Sequence, residues 1–174
     1  MITIFTMITK IEEKLLLLRA KKFADKLEGL ESFSISLLGK DVFLWHRDEL
    51  KAANSIDNKD ERVCFKQPVA EDKIISAVIS LLKIDKQFFC WLVYEGRCGI
   101  FVRGSDFHLF LASIFRLNHT YDVSLIFESP DRVIAISDNE YDVDIYHKLR
   151  RCGLVSCWRR RCGLVDDENR GQML

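Results

Sequence analysis

The clearest indication of the fold class is the sequence Phe88-Phe-Cys-Trp-Leu-Val-Tyr-Glu-Gly-Arg-Cys-Gly-Ile-Phe-Val102. Two runs rich in aromatic and aliphatic residues stand on either side of Glu95-Gly96-Arg97, a combination that favours a turn. Such runs suit the pleated, half-buried surface of a sheet, and a short turn between them joins neighbouring antiparallel strands. The stretch therefore predicts a β-hairpin.

A second hairpin is predicted further along the chain, after a helix. Ser105 is a suitable N-cap for that helix, and the apolar residues after it cover more than one helical face, so the helix should be largely buried. Residues 121–128 and 132–137 then flank Ser129-Pro130-Asp131 as two extended runs around a turn. With an amphipathic helix expected near Val69–Lys83, the order is helix, hairpin, helix, hairpin. This order predicts an α+β fold: an antiparallel sheet built from hairpins, with the helices packed mainly on one face.

The first part of the chain is predicted to begin with a helix. Thr9 and Glu12 have the spacing of a capping box, and the helix is expected to continue to about Leu27. Its apolar stripe would consist of Ile11, Leu15, Leu18, Phe23 and Leu27, widened by Leu16 and Ala20.

Two strands and a short helix are predicted next. Apolar and polar residues alternate over Phe33–Leu37, which is typical of a half-buried strand. Val42–Trp45 is predicted to return from a turn as the following strand. A short helix is then predicted over Asp48–Asn54.

The composition is that of a globular protein. The chain has 174 residues, of which 48% are hydrophobic and 30% charged, so it can bury an ordinary core. Its 26 Lys and Arg balance 26 Asp and Glu, which excludes a uniformly basic nucleic-acid binder. We see neither a membrane span nor a secretory signal and expect a cytoplasmic protein without membrane contact. Its cysteines should be reduced there, with Cys64, Cys90 and Cys98 acting as small apolar residues in strands.

The C-terminal segment differs in composition from the rest of the chain. Leu149-Arg-Arg-Cys-Gly-Leu-Val155 is followed ten residues later by Arg159-Arg-Arg-Cys-Gly-Leu-Val165. Two copies are too few for a solenoid. We therefore predict one α+β domain over residues 1–155 and a basic and polar appendage over residues 156–174, for which disorder is one option.

An acidic stretch precedes this basic segment. Residues 122–144 include seven acids and one basic residue, Arg132, which gives a formal charge of −6. If the end of the stretch is extended, Val143 and Ile145 point to one face of the strand and the neighbouring acids to the other. Such a ridge of carboxylates would attract a cationic partner, although a solvated strand edge protected by charge would show the same pattern. The residues assigned to partner binding are Glu128, Asp131, Asp138, Glu140, Asp142 and Asp144.

Motifs for catalysis and metal binding are weak or missing in the sequence. His147, Cys152, Cys157 and Cys162 recur at five-residue intervals, which is looser than common zinc spacings and partly follows from the repeat. No histidine forms a local signature with a cysteine nucleophile, and no P-loop, dinucleotide-binding or Gly-x-Ser-x-Gly pattern occurs. We therefore expect no enzyme activity, no cofactor and no bound metal.

The stretch from Tyr121 to Val143 resembles the closing hairpin of small bacterial α+β proteins, in which an aromatic-led strand, a Pro-Asp turn and a second strand precede an acidic or polar end. In its size and its lack of catalytic motifs the chain is similar to immunity proteins of contact-dependent growth-inhibition and related polymorphic toxin systems. This resemblance implies inhibition by binding: the protein would occlude the active site of a cognate toxin, often a basic nuclease. The Arg- and Cys-rich tail of this chain has no counterpart in the immunity proteins that it resembles.

Two functions follow as hypotheses. The first is a cytoplasmic binding protein that neutralises a basic toxin domain through the acidic ridge. The alternative is a metal-dependent hydrolase or nuclease that uses the clustered carboxylates, and it requires carboxylates from separate elements to converge on one point. Direct contact with nucleic acid is expected only through the basic tail.

Overall fold

The computed structural model describes residues 2–39, 43–53, 62–84 and 87–150, and for residues 2–9 it describes the backbone alone. Within these ranges the chain forms four helices and seven strands. In chain order they are α1 (Ile2–Ala24), β1 (Leu30–Leu37), α2 (Leu44–Ala53), β2 (Arg62–Lys66), α3 (Glu71–Leu82), β3 (Phe88–Tyr94), β4 (Cys98–Gly104), α4 (Phe107–Asn118), β5 (Val123–Glu128), β6 (Asp131–Asp138) and β7 (Asp142–Leu149). The predicted appendage and most of the Arg- and Cys-rich repeat lie outside the described residues.

The strands form one antiparallel sheet in the order β1-β4-β3-β5-β6-β7-β2. Both predicted hairpins are present: β3 pairs with β4, and β5 pairs with β6. β7 extends the second hairpin into a meander, while β1 and β2 pair with β4 and β7 and form the two edges. The predicted α+β fold with a hairpin-built antiparallel sheet is therefore confirmed.

One face of the sheet carries the main core, because alternate side chains of each strand point to it. α1, α3 and α4 cover this face. The largest fully buried side chains of this core come from both helices and strands. They include Phe110, Ile74, Ile75, Leu111, Ile100, Leu125, Ile134 and Ile145. Removing this apolar surface from water is the main favourable term in folding.

The opposite face is covered by α2 over part of its area. Ala53 packs there with a second apolar cluster on the sheet, formed by Ile126, Val133, Ala135 and Tyr146. The predicted strand at Val42–Trp45 is wrong, because the helix begins at Leu44. The aromatic and β-branched residues favoured a strand, but His46, Leu50 and Ala53 recur at helical intervals and turn one side of the helix towards the sheet. The other three helices, α1, α3 and α4, all pack on the main core face, so the expectation that the helices pack mainly on one face is met.

α1 begins earlier than predicted and buries a different face. The helix already includes Ile2, so Thr9 is an interior residue and not the N-cap of a capping box. The core positions of the helix are Leu16, Ala20 and Ala24. The small alanine side chains let the helix backbone lie close to the sheet. Three residues of the predicted stripe stay about half exposed: Ile11 at 57%, Leu15 at 51% and Leu18 at 56%.

The N-cap of α4 is Asp106 and not the predicted Ser105. The Asp106 carboxylate accepts a hydrogen bond of 2.8 Å from the backbone N–H of Leu109, and its own backbone is extended. We expect Asp106→Ala to lower the free energy of unfolding by about 1 kcal/mol, whereas Ser105→Ala should change it by less than about 0.5 kcal/mol. Denaturant unfolding of the two variants measures this difference. A larger loss at Ser105 would contradict the assignment.

Candidate functional site

The acidic residues of β7 alternate with apolar ones as predicted. Val143 and Ile145 are fully buried in the main core. Asp142 and Asp144 point to the other face of the sheet. The edge strand β2 pairs with β7 and lies next to these two residues. The extended conformation on which the predicted ridge depends is therefore confirmed.

The predicted ridge residues divide into two groups. Glu128 and Asp131 are cross-strand partners at the β5–β6 turn. The others, Asp138, Glu140, Asp142 and Asp144, lie at the β6–β7 turn or just after it. β6 separates the two turns, and its 8 residues span roughly 23 Å. The structure thus brings four of the acids together and places two at the other end of the sheet.

We define the acidic turn as residues 138–142 together with Asp122, which is hydrogen-bonded to it. The Asp122 carboxylate accepts from the backbone N–H of Asp138 at 2.9 Å. The Asp138 carboxylate accepts from the backbone N–H of Tyr121 at 3.1 Å and from the side-chain amide of Gln67 at 2.9 Å. These bonds tie the turn to the start of β5 and to the segment after β2, so two of its carboxylates are held in place.

β2 compensates part of the acidic charge. The Lys66 ammonium lies 2.7 Å from the Asp142 carboxylate, and this contact raises the pKa of Lys66. The Arg62 guanidinium lies 3.5 Å from the Asp144 carboxylate, with side chains 18% and 20% exposed. Since the Lys66 side chain is 82% exposed, water screens its ion pair, whereas the pair at Asp144 is better shielded. The charge is therefore reduced more effectively at Asp144 than at Asp142.

The rest of the acidic turn carries charge that no described residue compensates with an ion pair. Among the described residues, none forms an ion pair with Asp122, Asp138 or Glu140. Beside them stands Tyr141, whose 69% exposure is the highest of any large hydrophobic side chain described. An exposed aromatic residue with acidic neighbours on both sides in the chain fits a basic surface, because tyrosine is enriched among the residues that dominate binding energy and carboxylates steer cationic partners.

Asp122 and Tyr141 were not assigned to partner binding from the sequence. Asp122 lies well before the alternating acids, and only the pairing of β5 with β6 brings it to the turn. A signal for Tyr141 was present in Asp138-Asn139, since these residue types favour turns. An aromatic residue so close to a turn signal is expected to be more exposed than one within a strand.

Glu128 and Asp131, at the other end of β6, already have partners within the protein. The indole N–H of Trp91 donates to the Glu128 carboxylate at 3.1 Å. The Asp131 carboxylate lies 3.5 Å from the Arg150 guanidinium and 3.9 Å from Nε2 of His46. A binding partner would have to compete with these contacts.

His46 is buried at this end of the sheet, with a residue exposure of 6%. The rings of Phe43 and Trp45 pack edge-on against its imidazole. Burial lowers the pKa of His46, and this effect outweighs the opposing effects of the Asp131 carboxylate and of a hydrogen bond to the Phe127 backbone. The imidazole is therefore mainly neutral at neutral pH.

We expect the lowered pKa of His46 to make the protein less stable in mild acid. An unfolded histidine takes up a proton near pH 6.5, whereas the folded His46 resists protonation. As the pH falls below about 6.5, the unfolded state binds more protons, and the free energy of unfolding decreases until the pH reaches the folded pKa. Denaturant unfolding measured from about pH 7.5 to 5.5 should show a weaker pH dependence for His46→Gln than for the wild type. Parallel curves would contradict this account of His46.

The described cysteines are free thiols and lie in strands, as predicted: Cys64, Cys90 and Cys98. Cys90 and Cys98 are buried as expected of small apolar residues, but the prediction is wrong for Cys64, which is exposed at an edge strand. Burial raises the pKa of Cys90 and Cys98. A hydrogen bond to the Asp144 carboxylate raises the pKa of Cys64. These surroundings disfavour the thiolate form that acts as a nucleophile or a metal ligand.

Within the described residues, no three His, Cys, Asp or Glu side chains converge in a way that could hold a metal ion. The carboxylates of the acidic turn are therefore not arranged as the ligand set that the hydrolase hypothesis requires. Of the zinc candidates, His147 lies in β7. Cys152, Cys157 and Cys162 lie outside the described residues.

Comparisons with protein-family models, curated proteins and solved structures gave no match. None of the described helices combines the length and apolar character needed to cross a membrane. A functional interpretation therefore depends on the geometry and charge of the acidic turn.

Proposed function

We propose that this chain is a binding protein that neutralises a cognate toxin domain by covering it through the acidic turn. The observation that carries the proposal is the hydrogen-bonded pair of Asp122 and Asp138, which has no cationic partner among the described residues and lies beside the exposed Tyr141. Groups already held in place lose little conformational freedom on binding. The acidic turn therefore suits a partner with a preformed basic surface.

The proposed partner is a basic toxin domain of the kind implied by the resemblance to immunity proteins. A nuclease presents lysine and arginine where it binds phosphate. An acidic surface would compete for the same cationic groups and shield them from substrate. We propose that this occurs in the bacterial cytoplasm, where thiols such as those of Cys64, Cys90 and Cys98 stay reduced.

The predicted acids are proposed to contribute unequally to binding. Asp138 and Glu140 have no ion pair among the described residues, so no described cation offsets the charge that a partner would meet. The contribution of Asp144 should be smaller because Arg62 already faces it. Glu128 and Asp131 would join the same interface only if it extended along the whole of β6. The metal-dependent hydrolase hypothesis gains no support from the described residues.

An inhibition assay on a captured partner tests the proposed function. The full chain, immobilised in reducing buffer, is used to capture proteins from the source cell, and each captured candidate is then purified and assayed for toxicity and nuclease activity. We expect a candidate with a basic domain whose activity falls to the background when one equivalent of the chain is added. A partner that binds the chain and keeps full activity would contradict neutralisation.

A further inference from the structure

β1 forms an edge of the sheet, and none of the described strands pairs with its outer side. The backbone N–H of Leu38 donates to the Arg97 carbonyl at 2.9 Å, which continues the pairing of β1 with β4. Because successive residues of a strand direct their backbone polar groups to opposite sides, those of Phe33, Ile35 and Leu37 point away from β4. The edge therefore offers a row of N–H and C=O groups to a further strand.

Over most of its length, β1 lacks the features that usually protect such an edge. Natural edge strands are blocked by lysine, proline, bulges or inward-pointing charges. β2, at the opposite edge, begins with Arg62 and ends with Lys66. β1 contains neither lysine nor proline, and its only charged residue, Glu31, forms an ion pair of 2.9 Å with Arg103 of β4. Its pairing with β4 is regular over residues 32–37, so this part of the edge can accept a strand.

An apolar hollow lies beside this edge, between α1 and β1. It has a volume of about 460 Å³, and its apolar lining consists of Leu17, Leu18 and Ile35. Lys14 and Lys21 complete the lining. A residue paired with Ile35 would point to the same face of the sheet as Ile35, because directly opposite residues share a face. The side chain of that residue would therefore enter the hollow.

The two lysines predict the charge of a segment that would pair here. Lys14 and Lys21 are exposed, and neither forms an ion pair with a described residue. In a paired strand, the residues two positions before and after the one opposite Ile35 lie on the same face. Acidic side chains at these positions would be attracted to the lysines of the hollow. The hollow therefore favours a strand with an apolar residue between two acids at alternate positions.

We propose that the free edge of β1 binds an extended segment of a partner protein, which joins the sheet and places an apolar side chain between acids in the hollow. Such strand addition gains affinity from main-chain hydrogen bonds and specificity from pockets for alternate side chains. Ile35 supplies both, because its backbone polar groups point to the edge and its side chain lines the hollow. The edge lies across the sheet from the acidic turn, so the proposal does not depend on the proposed function.

A second copy of the chain is the weaker candidate for this edge. Two copies of β1 could pair in antiparallel fashion about a two-fold axis. Each copy would then place its own Lys14 and Lys21 on the same face of the joined sheet as those of the other copy. It would add no free acid, because Glu31 is already paired with Arg103. Since like charges disfavour association, the lysines favour an acidic segment of a different protein.

Selection of peptides by the full chain tests the proposal. A displayed library of random peptides of about 12 residues, long enough to span β1, is selected on the immobilised full chain in reducing buffer. We expect enriched peptides to carry an apolar residue between acids at alternate positions. The affinity of an enriched peptide, measured by fluorescence anisotropy, should fall more than about tenfold for Lys14→Glu/Lys21→Glu, because attraction at two positions becomes repulsion.

Lys22→Glu/Lys26→Glu is the matched control for net charge. It changes the charge by the same amount at two exposed lysines that do not line the hollow. It should reduce the affinity much less, because charges far from the peptide are screened by salt. Circular dichroism should show that both double variants keep the wild-type fold.

Backbone N-methylation of the enriched peptide distinguishes strand addition from other modes of binding. A methyl group removes a ladder donor only where the peptide N–H points to β1, and these positions alternate along a strand. We expect binding to be lost when one set of alternate residues is methylated and kept when the other set is methylated. Equal effects of the two sets would overturn the proposal.

Other results would overturn it as well. A full chain that enriches no peptide does not accept a strand at this edge, and a dimer in sedimentation equilibrium would then assign the edge to a second copy. Enriched peptides that bind Lys14→Glu/Lys21→Glu and the control variant equally would place binding elsewhere on the protein.

Discussion

Gly29→Ala is expected to lower the free energy of unfolding by about 3 kcal/mol, because the position excludes a side chain for two reasons. Gly29 has a φ of +73°, a left-handed conformation that costs an alanine roughly 1 kcal/mol. A Cβ atom there would also overlap the backbone carbonyl oxygen of Asp106. The Gly29 carbonyl meanwhile accepts from the backbone N–H of Ser105 at 3.2 Å, so the loop cannot move away without losing this bond.

Gly96→Ala is the matched control for this prediction. Gly96 has a φ of +65°, but a Cβ atom there would meet no atom within 4 Å. Gly96→Ala is therefore expected to lower the free energy of unfolding by about 1 kcal/mol, which is the cost of the left-handed backbone alone. Denaturant unfolding of the two variants isolates the steric cost at Gly29. Equal losses would contradict the close packing of the α1–β1 connection against the start of α4.

The double variant Glu140→Lys/Tyr141→Ala is expected to weaken partner binding by more than about twentyfold, or roughly 2 kcal/mol. The first change reverses an exposed charge, and the second removes the aromatic ring beside it. Both side chains are exposed, so the free energy of unfolding should change by less than about 0.5 kcal/mol. Isothermal titration calorimetry with the captured partner at low salt measures the loss.

Asp25→Lys serves as the control for net charge. This substitution changes the charge of the protein by the same amount as Glu140→Lys, at an exposed residue after α1. It should reduce affinity only slightly and mainly through the association rate. If Asp25→Lys weakened binding as much as the double variant, overall charge and not the acidic turn would govern recognition.

The sequence predicted the hairpins well because their signals are local. The turns at Glu95-Gly96-Arg97 and Ser129-Pro130-Asp131 stand between apolar runs, and the strands that they join are neighbours in the sheet. α2 was misread because Val42–Trp45 has strand-forming residues, whereas its helix is stabilised by packing on a sheet face formed far along the chain. Tertiary contacts of this kind routinely override local propensity.

The acidic site could be predicted only in part for the same reason. Alternation in the sequence predicted which way Asp142 and Asp144 point. The pairing of β2 with β7 joins residues about eighty positions apart, and no local pattern shows that Arg62 and Lys66 lie beside those acids. In the sequence, Glu128 and Asp131 are near the other acids, but β6 carries the chain from one end of the sheet to the other between them.

Hydrogen–deuterium exchange of the full chain, alone and with its captured partner, can locate the binding site on the protein. We expect the strongest protection on binding in peptides covering residues 138–142 and the segment around Asp122. Peptides of α1 and of the β5–β6 turn should change much less. Protection confined to those other segments, with unchanged exchange at residues 138–142, would contradict the acidic turn as the binding site.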